Sequence, residues 1–488
     1  MDIKNEDMPY LKKAFDGLEN ELTRFLEDSA PDWILYDFAP HWLPPVAARL
    51  GISRAFFLII NAWFLAFFGS SETMINSSEE RNKAEEFMIP QKWVRFDTKV
   101  AYRRYEANWI VAANQKNDSG FSDFYRSGKV IDGCHCQVIF LRHCYEFESD
   151  WLKLLEELHR KPVIPVGLMT PQVEEDNSQS WVSIKTWLDN QNKRSVVYVA
   201  LGSEVTPSQD QLNELALGLE LSGVPFFWAL RKPSETVESY SVDLPDGFQE
   251  RVRGWGMVWK SWAPQLKILS HDSVGAFLTH CGWSSFVEGL TFGHLLIALP
   301  FLVDQGLNAR IIADKQVGIE IPKNDEDGSY TKNSVSDSVK LVMVESEGKK
   351  FRDKAKEMSA IFGDRPAAMD SNSMAKNTKL HVVMFPWLAF GHLLSYFELS
   401  KFIAEKGHKI SFVSTPRNID RLPKIPPHLV SSITLVKLSF PKVEQLPESA
   451  EATMDIKNED MPYLKKAFDG LQNELTRFLE DCSGLDFL

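Results

Sequence analysis

Polar, charged and aromatic side chains are concentrated in one stretch, 262–305, which reads WAPQLKILSHDSVGAFLTHCGWSSFVEGLTFGHLLIALPFLVDQ. A buried strand over 276–279 is predicted to run into a turn at Gly282, and a helix is predicted to follow. The first N–H groups of such a helix lack partners within it and lie at its positive end, so an anion can bind there. His280 and Ser285 flank the turn and add hydrogen-bond donors. The stretch therefore predicts a site for a phosphorylated ligand.

Two further residues of this stretch suit the other parts of such a ligand. Glu288 lies one turn into the predicted helix, where a carboxylate can accept hydrogen bonds from sugar hydroxyl groups. Trp262 is predicted to end a strand, where its indole ring can stack on a flat base. In a doubly wound sheet, ligands bind at the carboxyl ends of the strands, which is where this turn is expected.

The stretch resembles the signature motif of plant family 1 UDP-glycosyltransferases, which has the same 44-residue length, begins W-A-P-Q and ends D/E-Q. The resemblance implies an α/β chain with the GT-B fold, in which two Rossmann-like doubly wound domains face a cleft. It implies transfer of a sugar from a UDP-sugar, and the terminal Gln305 is associated with glucose donors. No cofactor and no metal is expected, since the family needs none.

The resemblance also implies roles for residues at the two ends of the stretch. Trp262 would stack on uracil, with Gln265 near the ribose. Glu288 would bind the ribose hydroxyl groups. Asp304 and Gln305 would bind the hydroxyl groups of the sugar.

The middle of the stretch would hold the diphosphate, through backbone N–H groups around Gly282 and through His280, Trp283 and Ser285. Ser203, in the turn after the first strand of the same domain, resembles a further phosphate contact.

Two positions depart from the family pattern: Ser284 stands where Asn is usual, and Leu295 stands where Pro is usual. The first departure is expected to remove one polar contact on the diphosphate side, and the second should matter little to the chemistry.

Transfer of the sugar also needs a base for the acceptor hydroxyl. His392, in FPWLAFGHLL, is predicted to lie in the turn after a strand, where family members carry their base. Asp37, in DWILYDF, follows another strand and resembles the acidic residue that orients this histidine. Asp32 is the alternative, but it precedes that strand. The predicted mechanism is a direct in-line displacement with inversion at the anomeric carbon.

The acceptor is expected to be a small apolar glycoside. The segments FPWLAFGH, APDWILYD and VVYVALGSE resemble the plant clade that extends existing sugars, for example by 1,2-linked glucose on steviol or flavonoid glycosides. Two alternatives stay open: transfer directly to an aglycone, and an inactive scaffold that only binds a UDP-sugar. A nicotinamide-dependent dehydrogenase and a P-loop phosphotransferase are not supported, because neither glycine-rich motif follows a strand.

Composition restricts the other classes of function. The chain has 488 residues, so two or three domains are expected, and its net charge of -13 argues against nucleic acid as a partner. Five cysteines give no disulfide framework, and the Cys134–Cys144 region has no common zinc spacing. The apolar run 55–69 is shorter than the ~20 residues of a membrane span. A cytoplasmic enzyme, and a monomer, is expected.

The two ends of the chain carry the same segment. Residues 1–28 recur at 454–481, with Gln472 in place of Glu19 as the only difference. Residues from Met374 onwards read like the start of an α/β protein, and 363–373 read like a linker. We interpret this as an engineered circular permutation with overlapping ends, in which only one copy can occupy the native position.

The domain organisation follows from that interpretation. Residues 374–488 and 1–165 are predicted to form an acceptor-binding domain, joined through the linker 166–194 to a UDP-sugar domain at 195–362. The remaining residues, 363–373, would be the permutation linker.

Overall fold

The computed structural model describes residues 15–16, 18–77, 81–115, 121–132, 136–170, 173, 178–202, 205, 207–230, 243–363, 379–438 and 451. These residues form two compact units. Described residues of 83–110 and 170–363 form one, here the six-stranded unit, and those of 15–82, 111–169 and 379–451 form the other, the seven-stranded unit.

The seven-stranded unit contains a fully parallel sheet with the strand order β13-β12-β11-β1-β2-β3-β4. Its core packs apolar side chains such as Phe57, Met384, Phe397 and Phe412. The strands are β1 (Trp33–Tyr36), β2 (Ser53–Leu58), β3 (Val138–Leu141), β4 (Val163–Pro165), β11 (His381–Phe385), β12 (Lys409–Ser414) and β13 (Ile433–Lys437).

Helices alternate with these strands along the chain, as parallel pairing requires. They are α1 (Glu19–Ser29), α2 (Leu43–Arg49), α3 (Ala62–Phe68), α4 (Ser71–Ile75), α5 (Arg104–Ala113, which begins in the other unit), α6 (Asp123–Ile131), α7 (Ser149–His159), α16 (Phe390–Glu405) and α17 (Pro416–Asp420), with a 3-10 helix at Pro427–Leu429.

The six-stranded unit contains a second parallel sheet, ordered β10-β9-β8-β5-β6-β7. Its strands are β5 (Val196–Ala200), β6 (Phe226–Ala229), β7 (Gly256–Trp259), β8 (Val274–Thr279), β9 (Leu295–Ala298) and β10 (Gly318–Glu320). Its helices are α8 (Gln179–Asp189), α9 (Gln209–Ser222), α10 (Phe248–Arg251), α11 (Gln265–Leu269), α12 (Trp283–Thr291), α13 (Gln305–Asp314), α14 (Lys332–Met343) and α15 (Lys349–Phe362), with 3-10 helices at Ala84–Phe87 and Ser346–Gly348.

Each sheet reverses its strand order at one point. In the six-stranded unit the reversal lies between β5 and β8, and in the seven-stranded unit it lies between β11 and β1. Crevices at the carboxyl ends of the strands beside such a reversal are the usual ligand sites of doubly wound sheets. The predicted α/β architecture with two doubly wound parallel sheets is confirmed.

Two parts of the chain differ from the predicted domain organisation. The predicted linker 166–194 contains α8, an 11-residue helix whose Ile184 and Leu188 are buried and whose start is capped by the Ser178 hydroxyl. Its many polar residues lie on the exposed helix face, and for that reason the composition resembled a linker. Residues 83–110, predicted to belong to the acceptor domain, pack within the six-stranded unit through buried ion pairs.

The described part of the first copy of the repeated segment, residues 15–16 and 18–28, packs in the seven-stranded unit. Phe15, Leu18 and Leu22 are fully or almost fully buried, and the Phe15 ring stacks on Phe385 at 4.7 Å. Leu26 of the same helix is buried as well. The second copy, 454–481, and the predicted linker 364–373 lie outside the described residues.

Glu21 of α1 carries a carboxyl group that burial leaves poorly solvated. Its side chain is 3% exposed, and burial raises its pKa from 4.5 to about 8. Because the folded state holds the proton more tightly, this group favours folding below about pH 4.5, and that contribution is lost as the pH rises towards 8.

We therefore expect Glu21→Gln to raise the free energy of unfolding by about 1–3 kcal/mol at pH 9 and to have little effect at pH 5. Thermal melts at the two pH values measure this difference. Glu27→Gln, an exposed position on the same helix, is the control. An equal shift of Tm at both pH values, or the same behaviour of the control, would contradict the expectation.

No helix within the described ranges has the length and apolar character needed to cross a membrane. In the same ranges, no cluster of three or more His, Cys, Asp or Glu side chains is placed to bind a metal ion, although Cys134 and His135 of the weighed cysteine cluster lie outside them.

Candidate active site

The turn between β8 and α12 places a glycine at the start of the helix. Cys281 adopts a left-handed backbone conformation with φ of 67°, and its N–H donates to the Thr279 hydroxyl at 3.2 Å. Gly282 then takes the N-cap position of α12 and supplies no side chain to the first N–H groups of the helix. These donors are therefore oriented to bind an anion at the carboxyl end of β8.

The His280 ring lies between two glycines, Gly202 after β5 and Gly282 of this turn. A Cβ atom on Gly202 would lie 2.5 Å from Cε1 of His280, and one on Gly282 would lie 2.6 Å from Nε2. Only glycine at both positions leaves room for the ring. Burial lowers the pKa of His280 to about 4, so at neutral pH it is an uncharged imidazole with a single N–H to donate. The site is at the strand-order reversal between β5 and β8, because Gly202 follows β5.

Three side chains form a hydrogen-bond chain beside this turn. Nε2 of Gln265 donates to Oε2 of Glu288 at 2.7 Å, and the Tyr198 hydroxyl donates to Oε1 of Gln265 at 3.3 Å. Burial raises the pKa of Tyr198, which keeps the hydroxyl protonated. The carboxylate of Glu288 is thus held in a fixed orientation, ready to accept hydrogen bonds from a diol.

The predicted position of Trp262 at the end of a strand is wrong. Strand β7 ends at Trp259, and Trp262 lies in the following loop, where its carbonyl accepts a hydrogen bond from Nε1 of Trp259 at 3.0 Å. The Trp262 side chain is 76% exposed. The indole face is therefore available for stacking, and the loop rather than the strand positions it.

Asp304 and Gln305 are buried at the start of α13. Nδ2 of Asn308 donates to Oδ2 of Asp304 and to the Cys281 carbonyl, both at 2.8 Å, which ties α13 to the anion-binding turn. The Gln305 amide oxygen accepts from the N–H groups of Phe301 and Leu302 at 2.9 and 3.0 Å. The amide is held by its oxygen, and within the described residues its nitrogen makes no hydrogen bond, so it can donate to a ligand.

Trp283 and Ser285 contribute differently. The Trp283 side chain is buried, with its ring 5.0 Å from Phe286, so this residue can meet an anion through its backbone N–H at the helix start. Ser285 is also buried and Ser284 is partly exposed, both in the first turn of α12. Ser203 lies outside the described residues.

A second constellation lies in the seven-stranded unit. Oδ2 of Asp37 is 2.6 Å from Nδ1 of His392, although the two residues are 355 positions apart in the chain. The same carboxylate accepts from the N–H groups of Phe38 at 2.8 Å and Trp387 at 3.2 Å. A carboxylate held in this way requires a proton on Nδ1, so neutral His392 has its lone pair on Nε2.

This pair lies at the strand-order reversal between β11 and β1, since Asp37 directly follows β1. The Asp37 side chain is 4% exposed and that of His392 is 22% exposed, so the carboxylate is shielded while the ring reaches solvent. The predicted turn position of His392 is wrong in detail: helix α16 begins at Phe390, and His392 lies in its first turn.

Sequence reasoning missed Tyr198 and Asn308, which orient the predicted residues from neighbouring elements. Tyr198 lies within a strand that reads as uniformly apolar. Asn308 lies one helical turn after Asp304 and three residues beyond the end of the 262–305 stretch, to which the sequence analysis of the donor site was confined. The sequence did offer one indication of its role: Asn308 lies about one helical turn after the two polar residues Asp304 and Gln305.

Comparison with known proteins adds independent findings. Residues 157–371 match the family model described as UDP-glucuronosyl and UDP-glucosyl transferase. UDP-glycosyltransferase 91D2 of Stevia rebaudiana is 55% identical over 366 residues, which are 74% of this chain and 76% of that protein. Soyasaponin III rhamnosyltransferase of Glycine max is 39% identical over 373 residues, with shares of 74% and 76%.

Among solved structures, Phytolacca americana UGT2, complexed with UDP-2-fluoro-glucose and pterostilbene, is similar with a TM-score of 0.54 and 27% identity. The similarity covers 70% of this chain and 72% of that chain.

Proposed function

The chain belongs to the plant family 1 UDP-glycosyltransferases, and from that premise we propose that it transfers glucose from UDP-glucose to a hydroxyl group of a small-molecule glycoside. The observation that carries the catalytic part is the Asp37–His392 pair, with its 2.6 Å contact between carboxylate and imidazole. Such a pair suits a general base, because the carboxylate orients the ring and stabilises the imidazolium that forms.

The proposed donor site is the one around the start of α12. The helix start and His280 would bind the diphosphate and stabilise the charge that it gains on leaving. Trp262 would stack on uracil, and Glu288, held by Gln265, would bind the ribose. Asp304 and the Gln305 amide nitrogen would bind the sugar. No metal is required in this scheme, since neutral and backbone donors face the diphosphate.

The reaction would proceed by one displacement. Nε2 of His392 takes the proton of the acceptor hydroxyl, whose oxygen attacks the anomeric carbon. The bond from that carbon to the diphosphate oxygen breaks, and UDP leaves with the electron pair. Because a single displacement inverts the anomeric centre, an α-linked donor gives a β-linked product.

The acceptor is proposed as a glycoside, extended by a 1,2-linkage on a sugar of a terpenoid or flavonoid. One finding supports a glycoside over an aglycone: the name of the Glycine max protein, which is 39% identical to this chain, gives a soyasaponin as its substrate. The same name raises the question of UDP-rhamnose as a donor. A cytoplasmic location and a monomeric state stay predictions.

The proposal is tested by turnover with UDP-glucose and a panel of acceptors that pairs each glycoside with its aglycone, with UDP release as the readout. We expect release with the glycosides at least ten times faster than with the aglycones, and NMR of the product should show a β-1,2 bond. UDP-rhamnose and UDP-galactose are the donor controls. If UDP is released only with aglycones, the acceptor is an aglycone and not a glycoside. If UDP binds but no acceptor is turned over, the chain is an inactive scaffold that only binds a UDP-sugar.

We further propose that the chain order is permuted relative to its relatives. Counted from β11, the seven-stranded sheet has the order 3-2-1-4-5-6-7, which extends the common doubly wound order 3-2-1-4-5-6. The repeat at the two ends and the alignment of the Stevia protein with only 74% of this chain also support a permuted order.

A further inference from the structure

A tyrosine outside the 262–305 stretch contacts the backbone directly before the proposed sugar-binding pair. The Tyr102 hydroxyl donates to the Val303 carbonyl at 3.0 Å, and Tyr102 is 3% exposed. Val303 has a φ of 51°, in the left-handed region that β-branched residues avoid. Asp304 and Gln305 follow immediately. The hydrogen bond therefore holds an unfavourable backbone conformation that sets the direction of these two residues.

A second contact from the same segment fixes the first turn of α13. The Glu106 carboxylate lies against Gly306, where a Cβ atom would be 2.6 Å from its carboxyl carbon. The same carboxylate accepts from Nη2 of Arg310 at 2.7 Å and from the Arg103 N–H at 2.8 Å. Two side chains of the segment 102–106 thus contact the chain on both sides of Gln305, at Val303 just before α13 and at Gly306 in its first turn.

Two arginines anchor this arrangement to the edge of the sheet. Glu320, at the end of β10, accepts from Arg310 at 2.7 Å and from Arg103 at 3.0 Å. The Glu320 and Glu106 side chains are 8% and 6% exposed, so these ion pairs are shielded from solvent. A shielded network holds one geometry more firmly than surface ion pairs do, because water competes less for its hydrogen bonds.

We propose that the segment 102–106 positions the donor sugar: Tyr102 and Glu106 set the orientation of Asp304 and Gln305, so part of the donor-sugar selectivity is encoded outside the 262–305 stretch. This inference rests on the proposed function of the Asp304–Gln305 pair. Tyr102 touches no sugar in this scheme and is a positioning residue. The uridine-binding residues Trp262, Gln265 and Glu288 make none of the contacts described for this segment, so they should not respond to changes in it.

That separation defines the test. In the full chain, Tyr102→Phe removes one hydroxyl and keeps the ring, so the fold should be retained. We expect the dissociation constant of UDP to stay within about twofold, while kcat/KM for UDP-glucose falls about 3- to 10-fold, which is the effect of one lost hydrogen bond. The preference for UDP-glucose over UDP-galactose should narrow. Glu106→Gln, which keeps the shape of the side chain, should produce the same split between UDP and UDP-glucose.

Arg104→Ala is the matched control, because Arg104 is in the same segment but pairs with the exposed Glu85 at the surface. It should change neither kcat/KM for UDP-glucose nor the preference for UDP-glucose over UDP-galactose. A parallel loss of UDP affinity in Tyr102→Phe, or an unchanged donor preference, would overturn the inference by showing a merely structural role.

Gln305→Ala separates this inference from the function on which it rests. If Gln305→Ala changes the donor preference and Tyr102→Phe does not, the pair binds the sugar without help from the segment, and the positioning role is wrong. If Gln305→Ala leaves the donor preference unchanged, the sugar-binding assignment of the pair fails, and the inference fails with it.

Discussion

Replacing His392 with alanine is expected to lower kcat by about 10²- to 10⁴-fold, which is the usual contribution of a positioned general base. The KM for UDP-glucose should change little, because no donor-binding residue is removed. Asp37 is not expected to replace the imidazole as base, because its side chain is 4% exposed and its carboxylate is held by the N–H groups of Phe38 and Trp387. Steady-state kinetics of UDP release measures both quantities.

Asp37→Asn tests the other half of the pair. An amide in place of the carboxylate can donate to Nδ1, which favours the imidazole tautomer with its proton on Nε2 and removes the lone pair that a base needs. We therefore expect a loss of kcat comparable to that in His392→Ala, with the fold retained.

Asp32→Asn is the control for this pair of variants. Asp32 precedes the same strand and accepts a hydrogen bond from the His381 N–H at 2.7 Å, a role that the amide oxygen of Asn preserves. Its activity should stay within about twofold of the unchanged chain. Full activity in His392→Ala would remove the base assignment, and a loss in Asp32→Asn equal to that in Asp37→Asn would remove the distinction between the two carboxylates.

The pairing of Asp37 with His392 could be predicted from the sequence because both residues follow apolar strands. Parallel strands of one sheet end at the same edge, so residues that follow neighbouring strands meet there even when they are far apart in the chain. The apolar pattern that marks each strand is local and can be read from the sequence. The common edge of the sheet then brings the residues that follow the strands together.

What the sequence did not indicate depends on contacts between distant segments. The hydrogen bond from Tyr102 to Val303 joins residues that are 201 positions apart. The residues around each of them in the sequence give no indication that the two come into contact. The packing of 83–110 within the six-stranded unit was missed for the same reason, since the ion pair between Glu106 and Arg310 is visible only once both are folded. The helix α8 was missed because a mostly exposed helix has the polar composition of a linker.

The second large expected effect concerns the free energy of unfolding and involves the repeated segment. Asp16 of its first copy forms a buried ion pair with Arg126. The Arg126 side chain has no exposed surface, and its two terminal nitrogens each donate to an Asp16 carboxylate oxygen at 2.5 Å. Removal of one partner of a buried pair leaves an uncompensated charge. In a chain that ends at residue 453, Asp16→Ala should therefore lower the free energy of unfolding by about 3 kcal/mol.

The full chain offers an internal replacement, because the second copy carries Asp469 where the first has Asp16. The first copy is joined to β1 by only three residues after α1, so its local concentration at the docking position is high and it should occupy that position in the unchanged chain. Deletion of 454–488 alone should then leave Tm and kcat unchanged. Asp16→Ala in the full chain should cost less than in the shortened chain, since the second copy can dock instead.

The double variant Asp16→Ala/Asp469→Ala closes the cycle, because neither copy can then pair with Arg126. Its free energy of unfolding should therefore fall by the same amount, about 3 kcal/mol, as that of Asp16→Ala in the shortened chain. Denaturant unfolding of these variants, in the full and in the shortened chain, measures each step. If Asp469→Ala alone destabilises the chain, the second copy holds the docking position. If Asp16→Ala is equally costly in the full and shortened chains, the two copies are not interchangeable, and the near-identity of their sequences has no consequence for folding.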